Sequence, residues 1–261
     1  MFKLRAMTAL VLVAAILAIL FLAPPSLAFA FFALVAVVGA WEWGGLVGGG
    51  AFWRRGFPLL VMAACGVLYL LPEIRIRLWL GAALFWLLLV PVWFRYRWPL
   101  KGNFQALVIG LLLLLPTWAA LVRIYDLGPV RLLAVMGLVW VADIAAYLTG
   151  RAFGRHKLAP AISPGKTWEG AAGAVLAVQV YGFALAAAFK LDIAYVPYAG
   201  LLLLLTAASI AGDLFESLIK RQAGVKDSSA LLPGHGGVLD RIDSLTSTLP
   251  LTALALSFVY P

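Results

Sequence analysis

Apolar blocks, each close to the length of a bilayer crossing, recur from Met7 almost to the C-terminus, and polar residues are confined to short stretches between them. A helix needs about 20 apolar residues to cross a hydrocarbon core of about 30 Å. In such a core every backbone N–H and C=O must be satisfied within the structure, so a chain of this pattern can only be a helical bundle or a closed barrel. The blocks are continuous rather than alternating, which selects helices. The sequence therefore predicts an all-α fold, a polytopic transmembrane bundle of about nine helices near 6–23, 27–43, 57–71, 78–94, 104–122, 131–149, 168–188, 196–215 and 245–260. Composition agrees: of 261 residues 64% are hydrophobic and 12% charged, about half the charged fraction usual in soluble domains. The longest polar stretch, 216–244, is too short for a separate soluble domain.

Lys3 and Arg5 ahead of Met7–Ala23 resemble the start of a secretory signal. The run is long enough to span and Pro24-Pro25 turns it into another apolar block, so it is read as an uncleaved first helix. The net charge of +9 does not indicate nucleic acid, because the Lys and Arg lie in loops between apolar blocks, where they set orientation and meet anionic headgroups. With the N-terminus in the cytoplasm, fifteen basic residues fall on that side and five (Arg75, Arg77, Arg123, Arg131 and Lys190) on the other. The positive-inside rule then puts the C-terminus in the periplasm and loops 150–167 and 216–244 in the cytoplasm. Cys65, alone in an apolar run, excludes a disulfide framework or a cysteine metal site. The ten Trp, mostly near block ends, read as interfacial anchors.

The acids divide the chain. Glu42, Glu73 and Asp126 are the only ones before Asp143, and eight follow between Asp143 and Asp243. Residues 1–130 read as scaffold and 131–261 as the catalytic region. Within Gly212–Ser244, Asp213, Ser217 and Lys220 are spaced i, i+4, i+7 and share a helix face, with Glu216 at its edge. Asp240 and Asp243, flanking Arg241, share another. Acids beside Lys220, Arg221, Lys226 and Arg241 suit Mg²⁺ bound by carboxylates and phosphate bound by cations; capping and surface ion pairs are the structural alternative, which explains Asp240 but not the density. In Pro233-Gly234-His235-Gly236-Gly237 the glycines let backbone N–H groups approach an anion, and His235 either bonds phosphate or fixes the loop.

A second polar segment runs from Asp143 to Gly170. Asp143 lies inside an apolar helix, where an acid is a functional candidate; a hydrogen bond to Tyr147 is the alternative. Ser163-Pro164 reads as an N-cap and N1 proline of the following helix, with free N–H groups and Lys166 to attract phosphate. Gly165-Lys166-Thr167 is not a P-loop, because Pro160 stands where its glycine is required and no strand precedes it.

The run Ser217-x-x-Lys220-Arg221-x4-Lys226-Asp227, then His235-Gly236-Gly237-x-x-Asp240-Arg241-x-Asp243, resembles the signature of phosphatidate cytidylyltransferases, also called CDP-diacylglycerol synthases. Ala146-Tyr147, Gly150-Arg151 and the stretch Ile162 to Gly170 resemble the family as well. The resemblance covers roughly Asp143 to Ser244. It implies that CTP and phosphatidate yield CDP-diacylglycerol and pyrophosphate at the inner membrane. It also implies Mg²⁺ on Asp213 and Asp240, K⁺ as a companion cation, and a homodimer. On this reading Lys220, Ser217 and Asp243 complete the catalytic set. Arg221, Lys226, Asp227, His235, Gly236, Gly237, Arg241, Ser163, Lys166 and Asp143 bind substrate. A CTP-dependent lipid kinase would use the same nucleotide and metal but release CDP. The CDP-alcohol phosphatidyltransferase pattern is absent, and a transporter would spread its acids at mid-depth instead of gathering them near one surface.

Overall fold

A computed structural model describes residues 2–48, 50–100 and 104–260. Among them the chain forms nine helical rods: α1 (Phe2–Phe21), α2 (Pro25–Leu46), α3 (Phe57–Leu70), α4 (Pro72–Tyr96), α5 (Phe104–Asp126), α6 (Pro129–Phe153), α7 (Trp168–Ala188), α8 (Tyr195–Gln222) and α9 (Leu239–Ser257). Six of these, α2 and α4 to α8, are long and apolar enough to cross a membrane. The expectation of nine crossings is thus met in helix number but not in length. At 1.5 Å per residue, the 14 α-helical residues of α3 reach about two-thirds of the hydrocarbon thickness, and a π-helical turn, Phe52–Gly56, runs directly into them. Lys101, counted above with the cytoplasmic cations, lies outside the described residues.

The fold also departs from all-α. Two short antiparallel strands, β1 (Lys157–Ala159) and β2 (Ser163–Thr167), pair Lys157 with Thr167 and Ala159 with Ser163. This overturns the expected Ser163-Pro164 cap. The helix begins after the hairpin, and Thr167 caps it by accepting the Gly170 N–H at 3.1 Å. Pro164, which lacks an N–H, is tolerated because a two-stranded ribbon is all edge. Glu169 fastens the hairpin's base, its carboxylate meeting the His156 ring at 2.6 Å and the His156 N–H at 3.2 Å.

Tryptophan corrects a second expectation. Trp43, Trp53, Trp79, Trp86, Trp93 and Trp118 are buried. Four indole N–H groups donate to backbone carbonyls: Trp43 to Ala106, Trp79 to Pro116, Trp86 to Thr246 and Trp93 to Trp98. Three of these tie different helices together; the fourth fastens the segment after α4. Interior indoles supply both packing area and a partner for a carbonyl that water cannot reach.

Two features set the position of α8. A π-helical turn at Phe85–Leu89 interrupts α4, and such turns re-aim side chains. The rings of Phe85, Trp86 and Trp93 lie 5.5, 5.7 and 5.7 Å from Phe215, each close to edge-on. On its other side α8 meets α9 at Gly212, where an added Cβ would stand 2.6 Å from the Asp243 carbonyl and 2.7 Å from the Ser247 hydroxyl. Close backbone approach through small residues is how membrane helices associate when lipid offers no hydrophobic drive. Gly212→Ala is therefore expected to destabilise the bundle by about 1–3 kcal/mol and to impair function, because it separates two site helices. Gly200→Ala, on the same helix with open space around it, is expected to do neither. Detergent melting curves of the two variants are the check.

Candidate active site

One end of the bundle gathers the C-terminal ends of α6 and α8, the β-hairpin, the N-terminal end of α9 and the loop 223–238. The apolar block in α8 fades near Phe215, but the helix continues to Gln222, so Asp213, Ser217 and Lys220 lie on one unbroken helix as their spacing predicts. The Ser217 hydroxyl donates to Asp213 Oδ1 at 3.2 Å. Asp213 Oδ2 pairs with Lys166 Nζ at 2.7 Å, joining β2 to α8. Lys220 turns aside from Asp213. It is buried at 8% exposure between Glu216 (3.1 Å) and Asp240 (2.5 Å), and so ties α8 to α9.

Asp240 is the most heavily used acid of the group. Its Oδ2 accepts from the Ser228 N–H (2.8 Å), the Ser228 hydroxyl (2.8 Å) and the Gly237 N–H (2.7 Å), while Oδ1 takes Lys220. Asp240 precedes the apolar stretch of α9. Burial alone would push its carboxyl up, but Lys220 and these N–H groups outweigh it and hold the group below the usual carboxylate range. Four donors match the roughly four acceptor positions of a carboxylate.

Asp243 is engaged differently, by the N–H of the adjacent Ser244 at 2.7 Å. Asp213, Lys220 and Asp143 lie within its electrostatic reach, and Asp143 in turn senses Asp213, Lys166 and Arg241. Tyr147, the alternative partner for Asp143, instead accepts from Arg151 at 3.1 Å. Asp143, Asp213 and Asp243 thus influence one another electrostatically, with Lys166 and Arg241 opposing the acids at Asp143 and Lys220 at Asp243. No three carboxylate, histidine or cysteine groups converge closely enough among the described residues to enclose an ion unaided. Mg²⁺ does not require that, since it keeps waters and takes ligands from substrate phosphates.

The glycine turn binds an anion, but the anion is the protein's own. Gly236 adopts φ 77°. The N–H of Gly237 goes to Asp240, and those of Val238 and Leu239 go to Glu42 at 2.9 and 2.7 Å. Glu42, from α2, also accepts from Ser229 (2.6 Å) and Ser228 (3.2 Å) and is 1% exposed. It was absent from the residues picked out above, although the rule applied to Asp143, that an acid inside an apolar helix is a functional candidate, would have found it. The scaffold half thus reaches the site, as does Thr8 of α1, whose hydroxyl donates to the Pro233 carbonyl at 3.1 Å.

The remaining candidates lie around the mouth. Arg221, Lys226, Asp227 and Arg241 are exposed. Arg221 closes its own helix end on the Val225 carbonyl, and Arg241 donates to the His235 carbonyl at 3.0 Å. The Nδ1 of His235 is buried without a hydrogen-bond partner. Ser163 lies in β2 opposite Ala159. Near the Lys166–Asp213 pair in sequence, an apolar groove of about 410 Å³ opens between α7 and α8, lined by Trp168, Val175, Ile210 and Leu214 and also by Phe94 and Leu158.

Comparison with known proteins agrees with this arrangement. Over 98% of its length the chain is 44% identical to a Pseudomonas aeruginosa protein named phosphatidate cytidylyltransferase, covering 97% of that protein. It is 37% identical to the Haemophilus influenzae protein of the same name, covering 99% of the chain and all of the relative. A Brucella suis protein so named is 44% identical over 64% of the chain and 60% of its own length. The profile of the cytidylyltransferase family matches residues 3–259, and with that coverage the chain belongs to the cytidylyltransferase family.

Proposed function

We propose that this protein joins CTP to phosphatidate, giving CDP-diacylglycerol and pyrophosphate, at the cytoplasmic face of a bacterial inner membrane. The observation that carries the reading is the meeting of a charged cluster with an apolar groove. Asp213 adjoins the groove residue Leu214, and its ion-pair partner Lys166 lies two residues before the groove residue Trp168. One substrate must present a phosphate to cations while its acyl chains remain in an apolar surrounding, and the groove beside this pair offers both. The names of the relatives point to the same substrates. The orientation rests on the excess of Lys and Arg at this end.

The reaction needs no strong base. A phosphomonoester is largely dianionic near neutral pH, so an oxygen of phosphatidate attacks the α-phosphorus of CTP directly and pyrophosphate leaves. The obstacle is bringing two polyanions together, which fixed cations overcome. Lys166, a quarter exposed, and the exposed Arg241, Arg221 and Lys226 bind phosphate. Ser217 orients Asp213, and His235, in the glycine turn beside Arg241, is a further candidate for contact with phosphate.

Mg²⁺, which the resemblance implies together with K⁺, would neutralise charge on the transferring phosphate. Asp213 fits as its ligand, since it is partly exposed and held only by Lys166 and Ser217. Asp240, expected as the second ligand, is already met by four donors, so its part is to fix Lys220 and the loop, and Asp243 is the better second carboxylate. The homodimer implied by the resemblance completes the proposal.

Purified protein given labelled CTP and phosphatidate is expected to release pyrophosphate only when Mg²⁺ is present; release of CDP would establish the lipid-kinase reading instead. Asp213→Asn is expected to lower turnover by at least about 10²–10³-fold at unchanged membrane insertion, and near wild-type turnover at matched expression would remove Asp213 from the metal site. Lys220→Ala, which strips the partner from two buried acids, is expected to lose thermal stability as well as activity. A variant that loses activity at an unchanged melting point would return Lys220 to direct phosphate binding.

A further inference from the structure

We infer that Glu42 is a positioning residue for cytidylyl transfer, which holds the loop 228–238 and the first turn of α9 in place and acts through Ser228 on Asp240 and Lys220. The inference rests on the activity proposed above. Glu42 lies on α2, 186 residues from the nearest loop residue it bonds. Its carboxylate has no Lys or Arg among its hydrogen-bond and ion-pair partners. Instead it accepts four hydrogen bonds from one short segment: the hydroxyls of Ser228 and Ser229 at the loop's start and the N–H groups of Val238 and Leu239 at its end. Both ends of the loop are therefore fastened to a single group. A side chain at 237 would collide with that group, since a Cβ there would overlap the Glu42 carboxylate and the Ser228 hydroxyl.

The link to the site runs through Ser228. Its Oγ is 3.2 Å from Glu42 and 2.8 Å from Asp240. A hydroxyl has one proton to donate, so the two carboxylates compete for it, and its place between them is fixed by the N–H of Ser228 on Asp240 at 2.8 Å. Displacing Glu42 lets the loop's start swing, takes two of the four donors from Asp240, and so loosens the Asp240–Lys220 pair that joins α8 to α9. Packing of α2 alone needs no acid: an alanine or leucine would fill the space at lower desolvation cost, but would leave the Val238 and Leu239 N–H groups unmet. What the acid adds is a fixed geometry for four donors.

The test is Glu42→Gln, which keeps size but leaves one acceptor oxygen and turns an amide N–H₂ toward backbone N–H groups. With one oxygen for four donors, kcat/KM is expected to fall about 30-fold, the scale of losing a buried hydrogen bond to a charge. Tryptic cleavage at Lys226 is expected to quicken about tenfold on the same grounds, with cleavage at Arg155, in the loop between α6 and β1, unchanged. Ser228→Ala is expected to reproduce part of the loss, and the double variant to lose less than the product of the two. Should Glu42→Gln fail to accumulate, Glu42→Asp, which keeps the charge on a shorter arm, is expected to fold and show the same selective cleavage at Lys226. Wild-type kcat/KM in Glu42→Gln, cleavage that quickens equally in both loops, or multiplicative loss in the double variant overturns the inference. Cleavage does not depend on activity, so a wild-type protein that fails to transfer CMP would refute the proposed function without deciding the role of Glu42.

Discussion

A helix that starts out of reach of water leaves N–H groups that something must accept, and a carboxylate buried among apolar helices needs donors just as strictly. The first turn of α9 is built on the exchange between these two demands. Val238, at its N-cap, offers no side-chain cap of its own. The capping oxygens come from elsewhere: Glu42 of α2 takes the N–H groups of Val238 and Leu239, and Asp240 takes that of Gly237. Neither half of the arrangement is tolerable alone at this depth. Together they fix α9 against α2, and through the Asp240–Lys220 contact against α8.

That chain of contacts is useful only if α8 stands at one distance from α9. Gly212 sets the distance on one face, and the rings of α4 around Phe215 press from another. These positions immediately flank Asp213 and Glu216. Burial of apolar surface gives little drive between helices already in lipid, so close packing and indole-to-carbonyl bonds such as that from Trp86 to Thr246 carry the specificity that a soluble core would draw from exclusion of water.

Much of the helix order was legible in the sequence, and its errors share one cause. Hydropathy reports where lipid is, not where a helix ends. Residues 196–215 of α8 are visible as an apolar block, and it is the spacing of Asp213, Ser217 and Lys220, not hydropathy, that signals the helix beyond it, to Gln222. The start of α9 at Leu239 likewise precedes its apolar block at 245, and only the i, i+3 spacing of Asp240 and Asp243 signals it. The spacing of Asp213, Ser217 and Lys220 correctly placed them on one helix, but could not say that Lys220 would choose Glu216 and Asp240, because that choice depends on where α9 docks. Ser163-Pro164 has the local chemistry of a cap, and Thr167-Trp168-Glu169-Gly170 has it too; strand pairing between Lys157 and Thr167 decided for the second. Glu42 is legible as an acid inside an apolar block, but its partners, 186 to 197 residues away, are not.

The balance of charge at the site then acquires a physical reason. Two polyanions call for cations, yet a cluster of cations alone would repel itself before any substrate arrived, and most strongly where the dielectric is low. Here Lys166 waits on Asp213, and Lys220 on Glu216 and Asp240. The two pairs differ in kind. Lys220 is buried against acids that are themselves anchored, and removing it leaves unpaired charge in the interior, so it serves best by staying. Lys166 and Asp213 are each partly open, and a phosphate reaching Lys166 competes with a single carboxylate for one ammonium. Under the proposed reaction, displacing Lys166 from Asp213 would leave that carboxylate free for another cation. Of the two ion pairs, the partly open one is the easier to exchange under the proposed reaction, and the buried one keeps the frame around it.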